Sequence, residues 1–273
     1  MKGKWIAVVC YVATQSISSW AGETEWAKHM AAATHAKIKR QTVIAEMSYK
    51  EAIAEASASF GDEDLKLAES HLKLAELYYG ARRYLEAELH FKSSLAIREK
   101  KLGSKNPYVM EVIRHLAAIS RDQGRYAEAE ALYSRWLATA EEQLGANHPI
   151  LDVVLVDMGK LYFGQGRYSD ASHFFKRSLA IWEKARGMQD AGIPNLLLNL
   201  SELYVTQGRH AEAEPLLTRC LDVIELTLAD KTFDHAGNLS DAAGFLEEIY
   251  KNAGRKSEVE RLRQRRFAIG QKL

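Results

Sequence analysis

The chain has 273 residues with 37 Lys and Arg against 36 Asp and Glu, a formal charge of +1; it lacks the positive field by which proteins grip phosphate backbones, which demotes nucleic acid as a partner. A content of 47% hydrophobic and 27% charged residues is that of a folded chain with a sizeable core, and four prolines with 17 glycines are few for an all-β fold, which leaves helix as the expected element. Cys10 and Cys220 cannot build a disulfide framework, and neither has metal-ligand spacing.

Lys2 and Lys4 precede an apolar run from Trp5 to Ala13, and Ser19-Trp20-Ala21 then places small residues where a signal peptidase reads them. Residues 1–21 are expected to be a secretory signal cleaved after Ala21, sending the protein to the periplasm or outside the cell; the alternative is an apolar first helix on a cytoplasmic protein. The run is about half of the roughly 20 residues needed to cross a bilayer, so no stable membrane span is expected once it is removed. Cleavage removes two lysines and no acids, leaving 35 − 36 = −1.

From there on a 42-residue ruler governs the chain. Gln123-Gly124-Arg125-Tyr126, Gln165-Gly166-Arg167-Tyr168 and Gln207-Gly208-Arg209-His210 recur at that interval, with Arg83-Tyr84 one period earlier. One column reads Ala45, Ala87, Ala129, Ala171, Ala213; four positions on, another reads Tyr49, Phe91, Tyr133, Phe175, Leu217. A third is small throughout, at Ala33, Ala75, Ala117, Gly159 and Ser201, and a fourth is Gly61, Gly103, Gly145, Gly187. Small residues let one helix approach another, the alanines complete that contact, and the aromatic fills the space beside it. Each period is therefore a helical hairpin, with Gly124, Gly166 and Gly208 at a turn where positive φ costs a residue without Cβ little. Asn106-Pro107 and His148-Pro149 mark helix starts.

Residues 22–62 form either one long helix, about 23–60, or a divergent first repeat, because Arg40 stands at the turn-glycine position. Four 42-residue units follow over 63–228, with first helices near 64–80, 106–122, 148–164 and 190–206 and second helices near 84–102, 126–144, 168–186 and 210–228. Arg82 also replaces the glycine, but its flanking columns are intact and a turn is expected there. At Gly254-Arg255 the ruler slips by four residues, and 229–273 reads as a capping helical hairpin whose last helix carries a basic stripe, Arg261, Arg263, Arg265, Arg266 and Lys272, expected to be solvated.

The small residue, the Gly-Arg-Tyr turn, the alanine and the aromatic of each unit resemble the tetratricopeptide repeat (TPR), whose usual period is about 34 residues. The longer period here, with Leu102-Gly103, Leu144-Gly145 and the following Asn-Pro or His-Pro, resembles the repeats of kinesin light chains and their bacterial relatives. That resemblance implies an all-α, TPR-type α-solenoid: a right-handed superhelix of antiparallel helical hairpins whose first helices line the inner face, the usual binding surface of such solenoids. Chaperone-cofactor members of the family hold a carboxylate with lysines and asparagines over three first helices; here those positions meet residues such as Glu76, Val153, Asp157 and Asp241, so that activity is not carried over. Nor is the kinesin cargo role, which a secretory signal would place in the wrong compartment.

No catalytic set is present. The nine histidines show no zinc spacing, Gly164-Gln165-Gly166 lacks the third glycine and the strand of a dinucleotide fingerprint, and there is no nucleophile elbow or Walker lysine. His148 and His210 read as structural, and Cys220 as a buried, inert thiol. No metal, cofactor or enzymatic activity is expected. The inner face of the first helices then carries the function: Glu69, Lys73, Glu76 and Gly80; Glu111, His115, Ala118 and Asp122; Val153, Asp157, Lys160 and Gly164; Asn195, Asn199, Glu202 and Thr206. Asn195 and Asn199, one turn apart, suit a peptide backbone, and Arg114 and Lys160 suit acidic groups. The peptide-binding candidates are Lys73, Glu76, Arg114, His115, Asp157, Lys160, Asn195, Asn199 and Glu202. The expected function is a non-enzymatic scaffold for a protein or extended peptide; the alternative is a regulatory or substrate-positioning subunit of an enzyme complex.

Overall fold

The computed structural model describes residues 22–229 and 235–272. The expected signal segment, 1–21, lies outside them. The described residues form twelve helices and no strand: α1 (22–38), α2 (Thr42–Phe60), α3 (Leu65–Gly80), α4 (Tyr84–Leu102), α5 (Pro107–Asp122), α6 (Tyr126–Leu144), α7 (Leu151–Gly164), α8 (Tyr168–Arg186), α9 (Ile193–Thr206), α10 (His210–Thr227), α11 (His235–Asn252) and α12 (Lys256–Gly270). The chain divides into two compact units, one through Leu132 and one from Tyr133.

The hairpins close in one way. In each turn the backbone N–H three residues past the helix bonds back to a carbonyl five residues earlier: Arg83 to Tyr78 (2.9 Å), Arg167 to Tyr162 (2.9 Å), Arg209 to Tyr204 (2.8 Å) and Arg255 to Tyr250 (2.8 Å). The residue between them takes positive φ, the geometry that ends helices at glycine. In this turn the same arginine lays its guanidinium over that tyrosine, at 4.2, 4.3, 4.5 and 4.4 Å from the ring centroid. Where Ser120 replaces the tyrosine, Arg125 bonds Glu88 on the preceding second helix (2.7 Å), just as Arg83 bonds Glu46 and Arg255 bonds Glu214. At these three turns the arginine is thus a staple between repeats, whereas Arg167 and Arg209 bond Asp170 and Glu212 of their own second helices.

Between 22 and 62 the chain is a hairpin, turned at Arg40, where Gln41 N–H bonds the Ala36 carbonyl at 2.9 Å. Among the described residues, Arg40 and Arg82 are the two non-glycine residues at positive φ, both at 58°. A side chain in that conformation costs about 1–2 kcal/mol, a penalty that the later turns avoid with glycine.

Two first helices start three residues later than the sequence suggests, at Leu151 and Ile193 instead of 148 and 190. The reason is a capping column. Asp64, Asn106, His148 and Asp190 each accept, through the side chain, the backbone N–H two residues on, at 2.8, 2.9, 3.3 and 2.9 Å. At His148 and Asp190 the chain makes a further turn before the helix begins. His148 is accordingly structural, by an imidazole nitrogen that does the work of an Asn oxygen.

The packing columns are the core. Their alanines at 45, 87, 129, 171 and 213 are all fully buried, and the large residues from Tyr49 to Leu217 are at most 3% exposed. In the first unit they join Leu72, Leu74, Leu77, Val112, Leu116 and Ile119 in one cluster. In the second, Leu155, Leu161, Phe175, Leu197, Leu200 and Leu217 are buried to similar depth. The small column is small for a reason: a Cβ on Gly159 would lie 2.3 Å from Cε1 of Phe175. Cys220 has no exposure, bonds the Pro194 carbonyl at 3.7 Å, and burial pushes its thiol to about 12.

His71 of α3 and His90 of α4 face each other, Nδ1 to Nδ1, at 2.8 Å. Burial, then the neighbouring imidazole, holds His71 at about 4 against an ordinary 6.5; burial and Lys50 lower His90 in the same direction, opposed by Glu46. The unfolded chain therefore takes up these protons first as pH falls. Stability is full above pH 6.5 and is lost towards 4, by on the order of 2 kcal/mol for His71 once its partial solvent exposure is allowed for. Thermal melts at pH 7 and 5 check this: His71→Leu is expected to flatten the difference, and an unchanged difference would contradict the assignment.

The inner face of the first helices as the candidate site

In the first unit the face is a network of ion pairs. Lys73 Nζ lies 3.0 Å from Glu76, Lys37 reaches the same carboxylate from α1 at 3.5 Å, and buried Arg98 reaches across from α4 to Glu111 at 3.0 Å and to the Tyr108 carbonyl at 2.8 Å. His115 stacks flat on Phe91, centroids 4.9 Å apart at 7°. Glu76, Glu111 and His115 each bring one ligating atom within 4.8 Å of the others. They are the donors that a divalent ion would use, but both carboxylates are already neutralised by Lys37, Lys73 and Arg98, which removes the charge that favours a cation. Beside them opens a cavity of about 390 Å³ lined by Leu65, Glu69, Leu72, Lys73, Arg98, Leu102, Tyr108 and Glu111. At the far end of α5, Asp122 accepts the Tyr79 hydroxyl at 2.7 Å; burial, then this bond, holds that phenol at about 12.

Of the candidates, Lys73, Glu76 and His115 are thus brought together, and they are engaged with one another or with the core. Arg114 and Asp157 are half-buried and also have partners within the chain. The second unit differs. Lys160 on α7 and Asn195 and Glu202 on α9 are exposed, and Asn199 is half-buried with its Nδ2 sealed from solvent and without a hydrogen-bond partner. Lys37, Arg98 and Tyr79 were not singled out in the sequence, since each arrives from a neighbouring helix or from the column beside the inner face. The basic stripe of α12 is partly consumed as well: Arg263 bonds Glu247 at 2.6 Å, and Arg265 bonds Asp222 at 2.6 Å and Glu225 at 3.1 Å.

This architecture of small-column hairpins with an open polar first-helix face defines a helical-repeat scaffold. Tetratricopeptide repeat profiles match residues 67–108, 108–184 and 173–226. They cover more than half of the chain, which therefore belongs to the tetratricopeptide repeat family, with the all-α, TPR-type α-solenoid fold. Among solved structures it is similar to BtubC (BKLC) from P. vanneervenii, at 21% identity and TM-score 0.66 over 82% of this chain and 93% of that one. It is also similar to the kinesin-light-chain TPR-like repeats of Podosopora anserina, at 20% identity and TM-score 0.65 over 74% and 96%. Aspartyl phosphate phosphatase F from Bacillus subtilis matches at 15% identity and TM-score 0.68 over 97% of this chain and 74% of that one. At these identities the likeness is one of fold. No curated protein matches the chain. No helix of the described residues is long and apolar enough to cross a membrane.

Proposed function

We propose that the protein is a non-enzymatic binding scaffold that holds an extended peptide, or a helix of another protein, against the first helices α7 and α9, and that it works in the periplasm or outside the cell after loss of residues 1–21. The observation that carries the reading is the exposure of Lys160 on α7 and Asn195 on α9. The carboxamide of Asn195 offers a donor and an acceptor to a peptide backbone laid along α9. Lys160 adds a charge for an acidic group. Two proteins of similar fold, a Rap protein solved with the competence and sporulation factor and the Rap regulator of plasmid pLS20 solved with the Phr* peptide, support a peptide as the ligand class.

Selection of a random peptide display library on the full chain tests this. The selected peptides are expected to bind the Lys160→Ala, Asn195→Ala, Asn199→Ala variant at least ~10-fold more weakly, given the cost of leaving their carbonyls unpaired. Equal binding to both proteins would sink the site. Export is tested separately: the mass of the protein secreted from its own N-terminus should correspond to a chain starting at Gly22, and a retained Met1 would contradict it.

A further inference from the structure

The first two repeats carry a surface that later repeats lack. At equivalent positions of α2 and α4 stand Val43 and Leu85, then Met47 and Leu89, with exposures of 72, 76, 58 and 64%. The same positions later hold Ala127 and Ala131, Ser169 and His173, and Ala211 and Pro215. Ile38 and Ile44, 75% and 51% exposed, extend the apolar set into the α1–α2 turn. Single exposed aliphatics need no explanation; five on two neighbouring helix starts, with Ile38 at the end of α1 beside them, do. The two starts are tied side by side by Arg83 of the α3–α4 turn, which bonds Glu46 of α2 at 2.7 Å.

The rim of this surface is basic. Lys39, Arg40 and Arg82 are exposed at the two turns. Lys50 and Lys92 are 56% and 60% exposed, whereas their partners Glu46 and Glu88 are drawn in to 18% and 12%. Exposed acids stand on the same helices, Glu51 (54%) and Glu86 (45%), but they are paired with His29 and Arg83, so among the described residues the rim charge not engaged by a neighbour is that of Lys39, Arg40 and Arg82. Arg40 and Arg82 are, moreover, held at positive φ at the position where the later turns have Gly124, Gly166 and Gly208. Strained backbone that persists where glycine would relieve it points to a role for the side chain.

We propose that this edge of the first two repeats docks on an anionic phospholipid surface, its aliphatic side chains entering the headgroup–acyl boundary while Lys39, Arg40 and Arg82 meet lipid phosphates. Charge complementarity selects the occupant, because apolar insertion ringed by cations is the pattern of peripheral binding to acidic bilayers. A protein partner is disfavoured by the composition of the patch: protein hot spots are rich in Trp and Tyr, and none of these six residues is aromatic.

Flotation of the full chain with phosphatidylcholine vesicles, with and without phosphatidylglycerol, tests the proposal. The wild type is expected to float only with the anionic vesicles and to be released by salt. Arg40→Gly/Arg82→Gly should bind roughly 30-fold more weakly, two basic residues' worth of surface attraction, while melting at a higher temperature than the wild type. Leu85→Ser/Leu89→Ser should lose binding at an unchanged melting temperature. Residues 1–21 are the same in all three proteins, so the differences report on the patch. Flotation independent of phosphatidylglycerol, variants that bind like the wild type, or a wild type that captures an acidic amphipathic peptide but ignores vesicles would each overturn it.

Discussion

Replacing Phe91 by alanine is expected to destabilise the protein by about 3–5 kcal/mol, the range for removing a fully buried aromatic without collapse of the space it leaves. Phe91 has no exposure and belongs to the cluster formed with Ala75, Ala87, Val112 and Leu116. It is also the ring on which His115 stacks, so its loss removes the support of an inner-face residue together with core volume. Relaxation is limited because the cluster is contributed by successive helices, each held by its own turn. Urea unfolding of the variant measures the effect, and a loss below about 1 kcal/mol would show that the aromatic column is not the core it is taken to be.

Gly159→Ala is the opposite experiment, addition where there is no room. The new Cβ would meet Phe175 at 2.3 Å, and that ring is itself only 3% exposed. Overpacking of this kind costs about 1–3 kcal/mol. Ala75 and Ala117 occupy the same column in other repeats, so alanine is compatible with the repeat itself, and the cost comes from where Phe175 has settled. Phe175→Leu in the same chain should therefore recover part of the loss, giving a coupling of opposite sign to the single effects. Strict additivity of the two changes, or a neutral Gly159→Ala, would contradict the close approach.

Most of the fold was legible because packing repeats. A column of alanines beside a column of large residues can be read at a fixed interval, and the second helices begin where the turn phrase places them. Capping was only half legible. Proline drew attention to Asn106 and His148, but Asp64, Asn106, His148 and Asp190 share an acceptor atom, not a residue type. The hairpin at Arg40 was undecidable, since nothing in an arginine signals positive φ. The inner-face candidates were placed correctly on their helices, yet the sequence shows one helix at a time. It does not show that Lys37 comes from α1 to share Glu76 with Lys73, or that Arg98 takes Glu111. The exposure of Val43, Met47, Leu85 and Leu89 is not legible in the sequence for a related reason: aliphatic residues at helical spacing read as core until their surroundings are known.

In the proposed function, another chain is held on the first-helix face that the 42-residue repeat builds, against α7 and α9. Hydrogen exchange of the full chain with and without a selected peptide addresses it most directly. Protection on binding is expected in α7 and α9, centred on Asn195 and Asn199, with α8 and α10 unchanged; protection confined to the second helices would contradict the account.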